Sequence, residues 1–108
     1  MKTYEGIRTT DEKNTVGEST VLVDGQALSP VPSQKVMNHS PDGFNWGYNG
    51  SGPAQLALAI LLDYYGDRDY AIRMHQNFKA AIVARWPHDG GWKITSDEVE
   101  AACKELEG

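Results

Sequence analysis

Cysteine is nearly absent. Cys103 stands alone in 108 residues, so no internal disulfide can form and no paired-cysteine metal motif is available. Basic residues are scarce as well, ten Lys and Arg against fifteen Asp and Glu, and none are concentrated. The resulting net charge of -5 argues against direct nucleic-acid binding, because neutralising phosphates takes clustered Lys and Arg. No apolar run reaches the ~20 residues that span a bilayer. The one beginning at Ala54 is closed off by Asp63, Asp67 and Asp69. No apolar stretch near Met1 follows a basic region as a secretory signal would, so the expectation is a soluble protein in the reducing cytoplasm. Asn38-His39-Ser40 and Asn49-Gly50-Ser51 match the glycosylation acceptor pattern, but in that compartment they read as turn chemistry. Repeats, low-complexity tracts and linkers are lacking too. What remains is one globular domain over residues 1–108, whose 40% hydrophobic content suffices for a core without disulfide or metal staples.

Residues 39–62, HSPDGFNWGYNGSGPAQLALAILL, organise the rest. A glycine-rich turn runs straight into a segment, Ala54 to Leu62, in which only Gln55 is polar. A helix that is apolar nearly all round must be surrounded by its own domain. Ser51 is placed to cap it, Pro53 suits a first helical position, and Gly66 suits a left-handed stop. Gly52 is expected to sit where a larger side chain would not fit. Leu56, Ala59 and Ile60 of this helix, with Phe78 of the next, are predicted to be buried.

Before that helix the pattern is extended. Lys2 to Arg8, with Tyr4 and Ile7, fits an edge strand, and Thr9 to Glu18 reads as an exposed, disorder-prone connection broken by Asn14 and Gly17. Thr20 to Val23 is a second strand, and Asp24-Gly25 is a two-residue hairpin signal into a short third strand, Gln26 to Leu28. Pro30 and Pro32 exclude regular pairing, and Ser33 to Val36 fits either a helical turn or another extended piece. Phe44 to Tyr48 alternates Phe, Asn, Trp, Gly, Tyr, which predicts a strand with three rings on one face, layered against the central helix.

Beyond Gly66, Asp67 or Asp69 can start a second helix, with Ala71, Met74, Phe78, Ile82 and Trp86 at helical spacing and Pro87 as its end. Trp92 and Ile94 form a short extended piece. Thr95 with Glu98 has capping-box spacing ahead of a third helical stripe, Val99, Ala102, Cys103 and Leu106. The fold class is therefore α+β: a small, mainly antiparallel sheet packed on a buried central helix, with two further helices.

The familiar catalytic patterns fail at the glycine-rich turn. Gly47 to Gly52 has the outer glycines of a phosphate loop, but Pro53 stands where its lysine must be. The dinucleotide fingerprint would need glycine at Gln55, and Ser51 has glycines at the wrong distance for a nucleophile elbow. His39, Ser40 and Asp42 lie too close in sequence for triad geometry and read as a turn around Pro41 and Gly43. His39, His75, His88, Asp89 and Cys103 show no ligand spacing, so neither a metal nor another cofactor is expected. A ligand pocket at the turn would draw on His39, Asp42, Tyr48, Ser51 and Gln55, since glycine-rich backbone can approach a ligand closely. A partner-binding surface would draw on Asp97, Glu98, Glu100 and Glu105, which with Glu107 make the third helix acidic outside. Such a face suits a basic partner, for example as a decoy for a nucleic-acid groove.

The run His39-Ser40-Pro41-Asp42-Gly43-Phe44, then Trp46-Gly47-Tyr48, then Gly50-Ser51-Gly52-Pro53-Ala54-Gln55-Leu56-Ala57, resembles the core of a family of short, functionally uncharacterised bacterial, plasmid and phage proteins. Tyr4-x-Gly6 and Phe78-Lys79 are similar to that family as well. The resemblance implies a stand-alone α+β domain carried on mobile elements, with no activity, cofactor or catalytic residue to transfer. The function expected from this is a non-enzymatic interaction protein, an inhibitor or modulator of a host complex such as an antiviral defence assembly, with a host or mobile-element protein as partner. The alternative is a small-ligand-binding or catalytic domain using the turn.

Overall fold

A computed structural model describes residues 1–10 and 16–108, apart from the side chains of 9, 10 and 16–18. Its strands are β1 (Thr3–Thr10), β2 (Val16–Val23), β3 (Gln26–Ala27) and β4 (Trp92–Thr95), and its helices are α1 (Val31–Val36), α2 (Ser51–Tyr65), α3 (Arg68–Ala81) and α4 (Ser96–Leu106). The class is α+β. The sheet runs β3-β2-β1-β4 and every pairing in it is antiparallel. The connection predicted over Thr9 to Glu18 is too long: β1 and β2 continue into it, with Thr10 opposite Val16, and only its centre, residues 11–15, lies outside the described residues. The disorder expected over Thr9 to Glu18 is not found where β1 and β2 run, and for 11–15 that expectation falls outside the described residues.

The β2–β3 turn is the one predicted from Asp24-Gly25. Both residues take positive φ, 49° and 83°, which gives the two-residue turn whose twist matches the strands it joins. Asp24 Oδ1 accepts from the Thr3 N–H at 2.8 Å and so also pins the start of β1. Register decides which face is buried. Tyr4 lies opposite Val23 and Ile94, and Gly6 opposite Val21 and Trp92, so one face of the sheet carries the core residues Tyr4, Val21, Trp92 and Ile94. On the other face Glu5 pairs with Lys93 at 3.7 Å, and Ile7 is exposed.

Helix α2 is buried without a break from Gly52 to Leu61, and Leu56, Ala59, Ile60 and Phe78 are all buried as predicted. It shares one core with the inner sheet face, with Ala71, Met74 and Phe78 of α3, and with Val99 and Cys103 of α4. Burying an apolar side chain contributes about 1.5–3 kcal/mol, so this segment dominates the stabilisation. Gly66 ends α2 with φ 65°, and Asp67 caps α3 by accepting from the Tyr70 N–H. Thr95 and Glu98 form the predicted capping box on α4. Ser33 to Val36 is helical, as part of α1.

Four further local expectations are corrected. Lys2 to Arg8 is not an edge strand, because β1 pairs with β2 on one side and with β4 on the other. Ser51 is not the cap of α2: Gly50 is, with no side-chain hydrogen bond, Ser51 is the exposed first helical residue, and Pro53 is the third. The turn closes instead by contact, because a Cβ on Gly52 would lie 2.6 Å from Asn45 Cβ, so glycine is required there as expected. Phe44 to Tyr48 is not a strand. Gly43 and Gly47 take φ 108° and 83°, Asn45 Oδ1 accepts from its neighbour Trp46 N–H, and Gly47 N–H donates to the Val83 carbonyl. The rings therefore part company: Trp46 is fully buried, Phe44 packs partly buried against the core, and Tyr48 is 40% exposed. Lastly, α3 stops at Ala81, before Pro87. A 3-10 turn over Val83–Arg85 follows, and Trp86 is extended, as a residue preceding proline prefers. That placement stacks Trp86 on Trp92 at 3.9 Å, while Trp46 meets Trp92 edge-on at 5.7 Å.

Candidate functional site

Gln55 is fully buried in the first turns of α2, where an unpaired amide would be costly. Its Oε1 accepts from the N–H groups of His39 and Ser40, at 2.7 and 2.9 Å. Its Nε2 donates to Ser33 Oγ at 2.9 Å and to the Met37 carbonyl at 3.2 Å. Both acceptor and both donor positions of the amide are thereby used. One side chain ties α1 and the segment 37–40 to α2.

The segment then turns at residues 40–43, where the Gly43 N–H donates to the Ser40 carbonyl at 3.2 Å. Asp42 is exposed at its tip. Asp42, Gly43 and Phe44 form one wall of an open groove of about 430 Å³, whose other side is Ser19, Thr20 and Val21 of β2 with Ala27, Leu28 and Pro30. His39 turns the other way. Its Nε2 lies 3.0 Å from Nε2 of His75, a residue 2% exposed on the inner face of α3.

Of the five residues expected at a turn pocket, the structure joins His39 to Gln55 through the His39 backbone. Asp42, Tyr48 and Ser51 make no hydrogen bond to either among the described residues. Tyr48 packs edge-on against His88, with ring centroids 5.6 Å apart, and its hydroxyl lies 3.1 Å from where a Cβ on Gly52 would be. Of the four acidic residues expected at a partner face, Glu98 is engaged in the capping box. Glu100 accepts from the Tyr64 hydroxyl at 2.7 Å and pairs with Lys104 at 3.2 Å, and these partners hold its carboxyl below the usual range. Asp97 and Glu105 are exposed, and neither has an ion-pair partner among the described residues.

Two polar centres escaped the sequence reading. Arg8 donates from Nη1 to Ser19 Oγ at 2.7 Å, and from Nη2 to Asn45 Oδ1 and to the Trp46 carbonyl. Its guanidinium sits 4.1 Å over the Trp46 ring, and burial lowers its pKa from the ordinary value. Arg8 thus fastens the glycine-rich turn to the sheet, and nothing in a lone Arg near a strand end signals that. His75 carried a usable signal: it is the polar residue within the apolar stripe Ala71, Met74, Phe78. Among the described residues no three His, Cys, Asp or Glu side chains are grouped to hold a metal ion. No helix there is long and apolar enough to cross a membrane.

A family model described as a family of unknown function (DUF6166) matches residues 4–105. No curated protein and no solved structure matches the chain.

Proposed function

The chain belongs to this family of unknown function, DUF6166, and from that premise we propose that it is a non-enzymatic interaction protein that acts by occupying a surface of another macromolecule. The observation that carries this reading is the inward commitment of the glycine-rich turn. Gln55 spends its whole hydrogen-bonding capacity on the fold, and the His39 imidazole is turned onto His75. The side chains a turn pocket would draw on are thus engaged in the fold or dispersed around it. The partner face we assign is the outside of α4, with Asp97 and Glu105 as exposed carboxylates that have no ion-pair partner among the described residues, and Glu98 and Glu100 as charges held in place by the fold. A like-signed face on a small body speeds encounter with a basic partner and makes it salt-sensitive.

The resemblance to plasmid and phage proteins supports a partner in host machinery, and we read the chain as a modulator of such a complex in the cytoplasm. A buried free thiol at Cys103 is in keeping with a reducing compartment. The test is a pull-down from the native host at low and high salt, beside a variant with Asp97→Lys and Glu105→Lys. The expected result is a basic protein retained at low salt by the natural chain alone. Equal retention by both would remove α4 from the mechanism, and turnover of a small molecule that depends on His39 or Asp42 would overturn the non-enzymatic reading.

A further inference from the structure

The His39–His75 contact lies three residues before Asp42 of the groove wall, and its neighbours fix where its hydrogens sit. His75 Nδ1 is 2.7 Å from the Ile72 carbonyl oxygen, which can only accept, so Nδ1 carries hydrogen. In the neutral ring Nε2 is then a lone pair, and His39 Nε2, 3.0 Å away, must carry the proton between them. One added proton is tolerated, because each Nδ1 then carries a hydrogen and a single hydrogen still lies between the two Nε2 atoms. A second is not. It sets two charged N–H groups against each other, with no acceptor between them.

We propose that this contact is an acid-released latch, which holds residues 39–44, one wall of the groove beside β2, against α3. The chain beyond His39 is short and directly coupled to it. The His39 and Ser40 N–H groups share Gln55 Oε1, Ser40 closes the turn onto Gly43, and Asp42, Gly43 and Phe44 are the wall itself. The charged groups bearing on His39 are His75 and Lys79, both on α3. α1 and α2 meet this segment through the neutral amides of Gln34 and Gln55, and Asp42 of the same segment is exposed.

Burial, then His75, then Lys79 lower the pKa of His39 from its ordinary value. The folded state therefore takes up this proton less readily than the unfolded chain. Below about pH 6.5 the unfolded chain binds more protons, so the latch is complete above that pH and weakens as pH falls. The inference does not depend on the partner face assigned to α4.

The test is amide hydrogen exchange of the whole protein by NMR between pH 7.5 and 4.5, corrected for intrinsic exchange, beside His39→Gln. Glutamine keeps a donor and cannot be charged. In the natural chain the His39 and Ser40 amides are expected to lose about tenfold protection per pH unit below the release point, while Leu58 and Ile60 in α2 hold theirs. In His39→Gln the profile is expected to be flat. Protection independent of pH in the natural chain, the same loss in His39→Gln, or loss at Leu58 and Ile60 in step with Ser40 would each overturn the latch. Ring nitrogen spectra of the natural chain at pH 7.5 give a second reading that needs no variant: hydrogen on His75 Nδ1 and His39 Nε2 is expected, and the opposite tautomers would refute it.

Discussion

Replacing Gln55 with Met tests whether one buried amide holds the glycine-rich turn. Methionine is close in volume and flexible enough to fill the same space, so the change removes hydrogen bonds without opening a large cavity. Four bonds are lost, to His39 N–H, Ser40 N–H, Ser33 Oγ and the Met37 carbonyl. If all four partners stayed buried and unpaired, the cost would approach 10 kcal/mol at about 1–3 kcal/mol each. The segment 37–40 is part-exposed, however, and its groups can regain water. The net value of about 1 kcal/mol per bond is then the better measure, and the expected loss is roughly 3–4 kcal/mol. Against a total stability of ~5–15 kcal/mol this is large. Urea denaturation followed by circular dichroism should show the midpoint lowered by about 1.5–3 M with an unchanged slope. A loss under about 1 kcal/mol would refute the view that Gln55 fastens the segment.

Two further substitutions test the packing and the caps. In Gly6→Ala the new Cβ would lie 2.1 to 2.8 Å from ring atoms of Trp92, which Trp86 and Trp46 confine, so a loss of about 1–3 kcal/mol and a changed tryptophan fluorescence spectrum are expected; an unshifted spectrum would contradict the confinement. Thr95→Ala should cost about 1 kcal/mol in thermal or urea unfolding through loss of the α4 cap, whereas Ser51→Ala should change stability by less than about 0.5 kcal/mol, and the reverse order would restore Ser51 as a cap.

Much of the fold is local enough to be written in the sequence. The unbroken apolar run from Leu56 to Leu62 demands burial in any arrangement, Gly66 and Asp67 can hardly do other than end one helix and start the next, and Asp24-Gly25 specifies its turn. The capping box at Thr95 belongs with these, because its partners are three residues apart. What tertiary structure decided was every choice between alternatives of similar local energy. Phe44 to Tyr48 alternates like a strand, but a strand needs a neighbour; Arg8 from β1 and the Val83 carbonyl claim Asn45, Trp46 and Gly47 instead. The helical stripe reaches Trp86, yet stacking on Trp92, a partner brought in by the sheet, is available only once α3 has ended. The candidate site divides along the same line. Gln55 stood out as the one polar residue in an apolar helix, but its role as a fastener rests on backbone groups from residues 37–40 that only folding delivers. His39 and His75, 36 residues apart, meet at 3.0 Å because the segment that Gln55 ties to α2 lies against α3, and no spacing in a sequence encodes a contact that exists only once those separately formed pieces dock.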